Sequence, residues 1–349
     1  MNFNDKTILV TGAAGFIGFH LSRELISQNP SVTVIGLDSV NDYYDVSLKE
    51  ERLRILKESD ASPDTGTFLF IHGNLADKSL IDSVFGKYQP EIVVNLAAQA
   101  GVRYSITNPE AYMESNITGF FNILEACRHS YDNGASGVKH LVYASSSSVY
   151  GGNQKVPYST EDKTDCPVSL YAATKKSNEL LAYSYGKLYD IPMTGLRFFT
   201  VYGPLGRPDM AYFGFTNRLV RGETIKIFNY GDMYRDFTYI DDIVEGTIHV
   251  MEQVPGEDEN GVRYKIYNIG NSKPESLLDF VEILENCLIE EGIITKKGER
   301  ELLPMQPGDV YQTYADVSEL EKDFGFHPKT SLKEGLSHYA KWYKTFYNS

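Results

Sequence analysis

A serine, a tyrosine and a lysine near the middle of the chain have the types and spacing of a proton-transfer site. Tyr171 and Lys175 are four residues apart in a helix-like pattern, so their side chains share one helix face. The pKa of an unperturbed phenol is about 10, and an ammonium one turn away is expected to lower it by stabilising the phenolate. Ser146 follows an apolar, strand-like run and is suited to relay the proton of a substrate hydroxyl. We predict a base that deprotonates a secondary alcohol while its hydride leaves.

The Tyr-Lys spacing is common and on its own also fits a packed tyrosine with a lysine lying alongside it. A glycine-rich turn upstream makes the catalytic interpretation of this spacing more specific. Gly12, Gly15 and Gly18 stand three apart, between a short apolar run at residues 6–11 and an amphipathic helix pattern. Such glycines permit a tight turn and close approach of the backbone to a pyrophosphate, and the helix N-terminus attracts the phosphates. The turn predicts a dinucleotide site.

An aspartate defines the type of dinucleotide. Asp38 ends the second strand pattern, twenty residues after Gly18. A carboxylate at this position accepts hydrogen bonds from both ribose hydroxyls of the adenosine and repels a 2′-phosphate, which favours NAD over NADP. The alternative is a tight strand-to-helix turn that holds no cofactor.

The order of the predicted elements indicates the fold class. Strand and helix patterns alternate through the first 200 residues, which predicts four to six parallel strands covered on both sides. Mixed helices and short strands follow, and they suggest a second, smaller domain with the substrate between the two. We predict an α/β protein with a Rossmann-type doubly wound parallel sheet and a smaller mixed α/β substrate-binding domain. The predicted boundaries are 1–202 with a returning segment near 238–268 for the NAD domain, and 203–237 with 269–349 for the second domain.

Composition excludes several classes of function. The net charge is −14, and no basic cluster of the kind that binds nucleic acid is present. No stretch has the roughly 18 consecutive apolar residues that a membrane span requires. The three cysteines share no metal-like spacing and cannot all pair, which favours a reducing compartment. We expect a cytoplasmic protein without a metal, a membrane anchor or a nucleic-acid partner.

The combined motifs resemble the extended short-chain dehydrogenase/reductase family over essentially the whole chain. Within that family the sequence is similar to nucleotide-sugar 4-epimerases and looks most like the UDP-glucuronate 4-epimerases. This finer resemblance rests on specific segments at residues 38–45, 98–105, 145–151, 206–211, 234–237 and 305–309. It implies an NAD-dependent isomerase that acts on a UDP-sugar through a 4-keto intermediate, and family members commonly form homodimers.

The resemblance also implies the roles of individual residues. The catalytic residues are Ser146, Tyr171 and Lys175. The NAD-binding residues are Gly12, Gly15, Phe16, Ile17, Gly18, Asp38, Asn41, Asn74, Leu75, Leu96, Ala97, Ala98, Asn116, Tyr171, Lys175 and Phe199. The substrate-binding residues are Arg103, Ser146, Ser147, Ser148, Tyr171, Thr200, Arg207, Lys226, Phe228, Arg235 and Asp309, with Arg235 expected at the diphosphate.

Departures from related enzymes bear on the reaction. Dehydratases and decarboxylases of the family carry one or two acidic residues directly after the catalytic serine or threonine, whereas this chain has Ser147 and Ser148. UDP-galactose 4-epimerases have asparagine where Thr200 stands and arginine where Gln306 stands. These three hydroxyls are expected to hold a C6 carboxylate without adding charge. Three alternatives stay open: a 4-epimerase of UDP-glucose or UDP-N-acetylglucosamine, a decarboxylase or dehydratase, and an NAD-bound scaffold without chemistry.

Overall fold

The computed structural model describes residues 3–60, 62, 64–305 and 310–347. Its strands are β1 (Thr7–Thr11), β2 (Thr33–Asp38), β3 (Thr67–His72), β4 (Ile92–Asn95), β5 (His140–Ser146), β6 (Met193–Phe198), β7 (Thr200–Tyr202), β8 (Ile225–Ile227), β9 (Tyr234–Tyr239), β10 (Tyr264–Ile269), β11 (Pro274–Ser276) and β12 (Arg300–Leu302). Its α-helices are α1 (Phe16–Gln28), α2 (Val46–Ser59), α3 (Lys78–Tyr88), α4 (Tyr104–Thr107), α5 (Pro109–Tyr112), α6 (Phe120–His129), α7 (Leu170–Tyr189), α8 (Ala211–Val220), α9 (Ile240–Glu252), α10 (Leu277–Glu290), α11 (Ser318–Phe324) and α12 (Leu332–Tyr347). A π-helical segment covers Met113–Gly119, and 3₁₀ turns cover Asp132–Gly134, Ser147–Tyr150 and Phe228–Gly231.

The chain folds into two compact units. The first comprises Met1–Gly151, Lys163–Arg197 and Val244–Tyr267, and the second comprises Gly152–Asp162, Phe198–Ile243 and Asn268–Ser349. The domain boundaries expected from the sequence stay a prediction.

A seven-stranded parallel sheet organises the first unit, in the order β10-β6-β5-β4-β1-β2-β3. Six of these strands follow the order typical of dinucleotide-binding folds, and β10 extends the sheet beyond β6. Thr11 at the end of β1 lies opposite Leu37 on β2 and Asn95 on β4, so the three strands end at the same edge. This register brings the turns after β2, β1 and β4 side by side at the carboxyl edge of the sheet.

The apolar side chains of this sheet are covered by helices, as the sequence pattern predicts. Strands β4 and β6 are buried at every position, which is the pattern of a parallel sheet with both faces covered. One core cluster joins strand residues such as Leu9 and Val93 to helix residues such as Phe120 and Ala182. The predicted α/β fold class is confirmed.

Two details of the sheet differ from the sequence-based expectation. The sheet has seven strands rather than four to six, because Tyr264–Ile269 returns beside β6 and the Met193 amide donates to the Arg263 carbonyl. The strand expected at residues 138–144 lies at His140–Ser146. The strand extends through Ser145 and Ser146, which are buried polar residues at its end.

The second unit contains two small sheets and packed helices. In the three-stranded sheet β9 pairs in parallel with β7 and antiparallel with β11, while β12 and β8 form a parallel pair. The ring of Phe237 on β9 stacks on Phe280 of α10 at a centroid distance of 4.2 Å. The short strands among helices match the mixed helices and short strands that the sequence pattern predicts for this part of the chain. Across the described ranges of both units, no helix combines the length and the apolar character needed to cross a membrane.

Candidate active site

The glycine turn after β1 is formed by backbone that leaves no room for side chains. Gly12 has φ of +70°, and a Cβ atom there would lie 2.8 Å from the Ala97 nitrogen. A Cβ atom on Gly15 would lie 2.9 Å from the Gly12 oxygen, and one on Gly18 only 2.2 Å from it. No side chain caps the first turn of α1, where Gly15 is the N-cap residue. The turn therefore offers bare backbone and a helix N-terminus, which suits a pyrophosphate.

Asp38 is held rigidly at the end of β2. One carboxylate oxygen accepts a hydrogen bond of 3.0 Å from the Ala14 amide, and the other accepts one of 2.8 Å from the Val40 amide. A carboxylate has about four acceptor positions, so acceptor capacity remains for two ribose hydroxyls. The glycine turn and this carboxylate together fit an NAD cofactor.

The other residues expected at the cofactor lie mostly along the same edge. Leu96, Ala97 and Ala98 follow β4 and are half-buried, as are Gly12, Gly15 and Ile17 of the neighbouring turn. Phe16 is buried at the start of α1. Asn41 is exposed after β2 and accepts two hydrogen bonds from Lys49, both of 2.7 Å. Beyond β3, Asn74 is exposed and its amide donates to Glu114, whereas Leu75 is buried.

Tyr171 and Lys175 lie in the first turns of α7, whose N-terminus is capped by Ser169. The Lys175 ammonium donates to the Ala144 carbonyl on β5 at 2.7 Å, and burial lowers the pKa of Lys175 to about 8. The Tyr171 ring is half-buried and lies edge-on to the Tyr112 ring, with centroids 6.1 Å apart. The helix N-terminus and the buried ammonium both favour a negative charge on the phenol oxygen.

Ser146 is the last residue of β5, and a tight 3₁₀ turn at Ser147–Tyr150 follows it. Its hydroxyl accepts a 3.1 Å hydrogen bond from the Ser148 amide, so the hydroxyl proton stays available for donation. Ser147 and Ser148 are half-buried. Because β5 also carries the Ala144 carbonyl that binds Lys175, the serine and the Tyr-Lys pair are positioned by the same strand and helix.

Asn116 occupies the π-helical segment and has a buried, fully engaged side chain. Its oxygen accepts from the Gln99 amide at 2.8 Å, while its nitrogen donates to the Gln99 carbonyl and the Thr174 hydroxyl, each at 3.1 Å. The Asn116 carbonyl, in the same π-helical segment, accepts a hydrogen bond of 2.7 Å from the Asn178 side chain. Asn116 therefore ties the segment after β4 to helix α7, and its predicted contact with NAD stays a prediction.

A buried ion pair beneath the serine segment was not identified from the sequence. Glu179 on α7 and Arg197 on β6 are each 2% exposed and form two hydrogen bonds of 2.8 and 2.9 Å. Glu179 also accepts from the Ser145 hydroxyl at 2.7 Å, and Arg197 donates to the Tyr150 hydroxyl at 3.0 Å. Burial raises the pKa of Glu179, but Arg197 and Ser145 outweigh this effect and hold it below its usual value. The segment that carries Ser146 is thus fixed at both ends.

A sequence signal for this pair did exist. Arg197 is the one charged residue in the otherwise apolar pattern of β6, and Glu179 stands four and eight residues after Lys175 and Tyr171. That spacing places Glu179 close to the catalytic face of the helix. The pairing itself joins a helix to a distant strand, which spacing alone does not reveal.

Arg103 is exposed in the first unit, at the N-terminal boundary of α4. Its expected contact with an anionic substrate stays a prediction.

The remaining predicted substrate residues belong to the second unit. Arg207 forms an ion pair with Asp209, whereas Arg235 donates to the carbonyls of Tyr234, Val310 and Tyr311. Asp236 beside it is buried and accepts from the amides of Asn271, Ser272 and Ala315, and burial raises its pKa to about 6. Thr200 begins β7 and is half-buried, Lys226 is exposed on β8, Phe228 is half-buried and Phe199 is buried. Asp309 lies outside the described residues.

The pKa of Lys175 leads to a prediction about stability. The unfolded lysine has a pKa near 10.5, so below pH 8 the folded protein, when free of NAD, holds a buried charge that opposes folding by about 3 kcal/mol. The folded lysine loses its proton near pH 8, and the penalty then falls steadily and vanishes above pH 10.5, where the unfolded lysine is neutral as well. NAD-free Lys175→Met protein should therefore unfold at higher urea concentration than wild type at pH 7, with a smaller advantage at pH 10. An advantage that does not depend on pH would contradict this account.

Comparison with known proteins places this site in a family. Residues 8–270 match the model of the NAD dependent epimerase/dehydratase family. The chain is 44% identical over 354 residues to UDP-glucuronate 4-epimerase 2 of Arabidopsis thaliana, covering 99% of this chain and 77% of that protein. It superimposes with a TM-score of 0.84 and 33% identity on UDP-glucuronic acid 4-epimerase of Bacillus cereus, solved with UDP-glucuronic acid and NAD, covering 98% and 100% of the two chains. A UDP-glucose 4-epimerase of Thermotoga maritima, solved with UDP-glucose, gives 0.80 and 29%, covering 97% and 99%. The chain belongs to the NAD dependent epimerase/dehydratase family.

Proposed function

We propose that the protein is an NAD-dependent UDP-sugar 4-epimerase that interconverts UDP-glucuronate and UDP-galacturonate. The observation that carries the proposal is the serine run at the end of β5. Ser146 ends the strand, Ser147 and Ser148 begin the tight turn after it, and the same strand binds Lys175 through the Ala144 carbonyl. In this setting Tyr171 and Lys175 supply a base, and the neighbouring positions supply neutral hydrogen-bond donors instead of an acid.

The chain's residues account for the proton transfers. Tyr171, as the phenolate, accepts the proton of the sugar 4-hydroxyl through Ser146 and later returns it. Lys175 keeps the phenolate charged because its ammonium is buried and held against the Ala144 carbonyl. The glycine turn and Asp38 hold NAD, which when bound takes a hydride from C4 and gives it back to the opposite face of the 4-keto sugar.

The serine and threonine hydroxyls have a second proposed task. A 4-keto uronic acid is a β-keto acid and loses CO₂ when its carboxylate leaves the plane of the ketone. We assign Ser147, Ser148 and Thr200 to hold the carboxylate in that plane. Carboxylate binding by hydroxyls adds no positive charge, so it does not compete with Lys175 for the phenolate.

Similarity of fold does not choose the sugar, since the UDP-glucuronic acid and UDP-glucose enzymes superimpose with TM-scores of 0.84 and 0.80. The neutral-sugar alternative is therefore judged on the hydroxyls at positions 147, 148 and 200. The decarboxylase alternative is disfavoured because no carboxylate follows Ser146. The scaffold alternative gives no reason for a buried ammonium beside Tyr171.

Purified protein incubated with UDP-glucuronate and no added NAD should yield UDP-galacturonate, measured by NMR of the nucleotide-sugar. Tyr171→Phe should lower kcat by roughly 10²–10⁴-fold while the NAD content of the protein is unchanged. Epimerisation of UDP-glucose or UDP-N-acetylglucosamine alone would refute the uronate assignment. An unaffected Tyr171→Phe enzyme would refute the assigned base.

Removal of a hydroxyl that holds the carboxylate should increase decarboxylation of the 4-keto intermediate. In Ser147→Ala, Ser148→Ala or Thr200→Val we expect a larger fraction of turnovers to lose CO₂, measured as the ratio of decarboxylated nucleotide-sugar to UDP-galacturonate. Ser83→Ala is the matched control, because its hydroxyl binds only the Leu80 carbonyl on the exposed face of α3. A product ratio identical to wild type in all three variants would remove the assigned role.

We propose further that the protein acts as a homodimer in the cytoplasm. Helices α6 and α7 pack against each other and expose Phe121, Leu180 and Leu188 at 41%, 61% and 66%, an apolar surface that a dimer contact would cover. All three cysteines are free thiols, as in a reducing compartment. Light scattering should give twice the chain mass for wild type and a smaller mass for Leu180→Glu. A monomeric wild type would contradict the dimer.

A further inference from the structure

Two tyrosines from separate loops of the first unit touch each other at the carboxyl edge of the sheet. The rings of Tyr43 and Tyr104 have centroids 4.7 Å apart and planes inclined at 47°. Tyr43 lies in the segment between β2 and α2, and Tyr104 begins α4 after β4. We call this contact between Tyr43 and Tyr104 the tyrosine bridge. Its centroid distance is in the range of favourable aromatic pairs.

The strand order shows what the tyrosine bridge spans. Strand β1 lies between β2 and β4, and all three end at the same edge of the sheet. The glycine turn of Gly12 leaves β1 at this edge. A contact that joins the loop after β2 to the loop after β4 must therefore cross the end of β1. In folds of this type the pyrophosphate of the dinucleotide lies at that turn.

The loop on the β2 side is fixed to its surroundings by cations. Arg52 is fully buried and donates to the Ala14 carbonyl of the glycine turn at 2.7 Å and to the Tyr44 hydroxyl at 2.6 Å. Lys49 donates to Asn41, and its ammonium lies 4.7 Å from the centre of the Tyr44 ring. Tyr43 lies between Asn41 and Tyr44 in the sequence and is half-buried.

The loop on the β4 side is fixed by hydrogen bonds. Tyr112 is fully buried and its hydroxyl donates to the Ala100 carbonyl at 2.9 Å and to the Gly101 carbonyl. The Tyr104 hydroxyl accepts from the Asn108 amide at 2.7 Å, and the Tyr104 ring lies 6.3 Å from the Tyr112 ring. Each half of the tyrosine bridge is thus held in place by its own contacts, and the ring contact joins the two halves.

We propose that the tyrosine bridge closes the dinucleotide site across the glycine turn and slows the release of NAD. Tyr43 and Tyr104 then act as cofactor-retaining residues in addition to the turn and Asp38. Escape of the cofactor requires the two rings to separate, which adds the energy of the aromatic contact to the barrier for release. Such retention serves an enzyme that uses and regenerates its cofactor in every cycle. The proposal concerns NAD alone and does not depend on which sugar the enzyme converts.

The test is the rate at which bound NAD leaves the enzyme. The wild type, Tyr43→Ala, Tyr104→Ala and the double variant are loaded with radiolabelled NAD, and its loss is followed after addition of excess unlabelled NAD without sugar. We expect each single variant to release NAD about tenfold faster, the change that loss of one aromatic pair supports. The double variant should be no faster than the faster single variant, because either change removes the same contact.

Three controls make the result specific. Tyr43→Phe keeps the ring contact and should release NAD as slowly as wild type. Tyr88→Ala removes a half-buried tyrosine at the end of α3, remote from the glycine turn, and should also release NAD slowly. Thermal unfolding of each variant shows whether it is folded, and the comparison of Tyr43→Phe with Tyr43→Ala is interpretable even if Tyr104→Ala unfolds.

Wild-type release rates in both alanine variants would overturn the proposal. Single effects that multiply in the double variant would also overturn it, because they would show two independent contributions instead of one contact. Fast release from Tyr43→Phe or from Tyr88→Ala would do the same. Since no sugar is present, these outcomes are separate from those of the epimerase assay.

Discussion

The buried ion pair between Glu179 and Arg197 is the interaction on which the active site depends most. It joins α7, which carries Tyr171 and Lys175, to β6, and through Ser145 and Tyr150 it fixes the segment that carries Ser146. Removal of Glu179 would take its bidentate carboxylate from the buried Arg197, and the loss of one member of such a pair typically costs about 3–5 kcal/mol. The pair therefore couples the position of helix α7 to that of the segment that carries Ser146. Each of the two side chains is only 2% exposed, so little water reaches the pair.

Asn116 supplies a second connection of the same kind on the other side of α7. Its amide joins the backbone after β4 to Thr174, and Asn178 returns a hydrogen bond to its carbonyl. The Asn116 carbonyl that accepts from Asn178 lies in the π-helical segment. Helix α7 is thus held from both flanks by buried polar groups, and it also carries the buried Lys175.

The sequence was informative wherever the chemistry is local in the chain. The glycines, Asp38 and the Tyr-Lys pair each lie within one turn, strand end or helix, so the sequence alone places them in the elements where the structure has them, and their roles stay predictions. The end of β5 was placed two residues early, because serines at a strand terminus read as loop although hydrogen bonding continues through them. The contacts of Glu179 with Arg197, of Asn116 with Gln99 and of Tyr43 with Tyr104 join distant segments. No pattern in a single sequence reports which residues such segments bring together.

The glycine turn has a consequence for how this cofactor site can change during evolution. Because a Cβ atom on Gly18 would lie 2.2 Å from the Gly12 oxygen, a side chain at this position requires the backbone to move. Asp38 is constrained in another way, since a replacement without an acceptor would leave the Ala14 and Val40 amides without their hydrogen bonds. A change in the preferred dinucleotide therefore requires a residue at the end of β2 that still accepts from these amides. Space limits substitution at the glycine turn, whereas hydrogen bonding limits it at the end of β2.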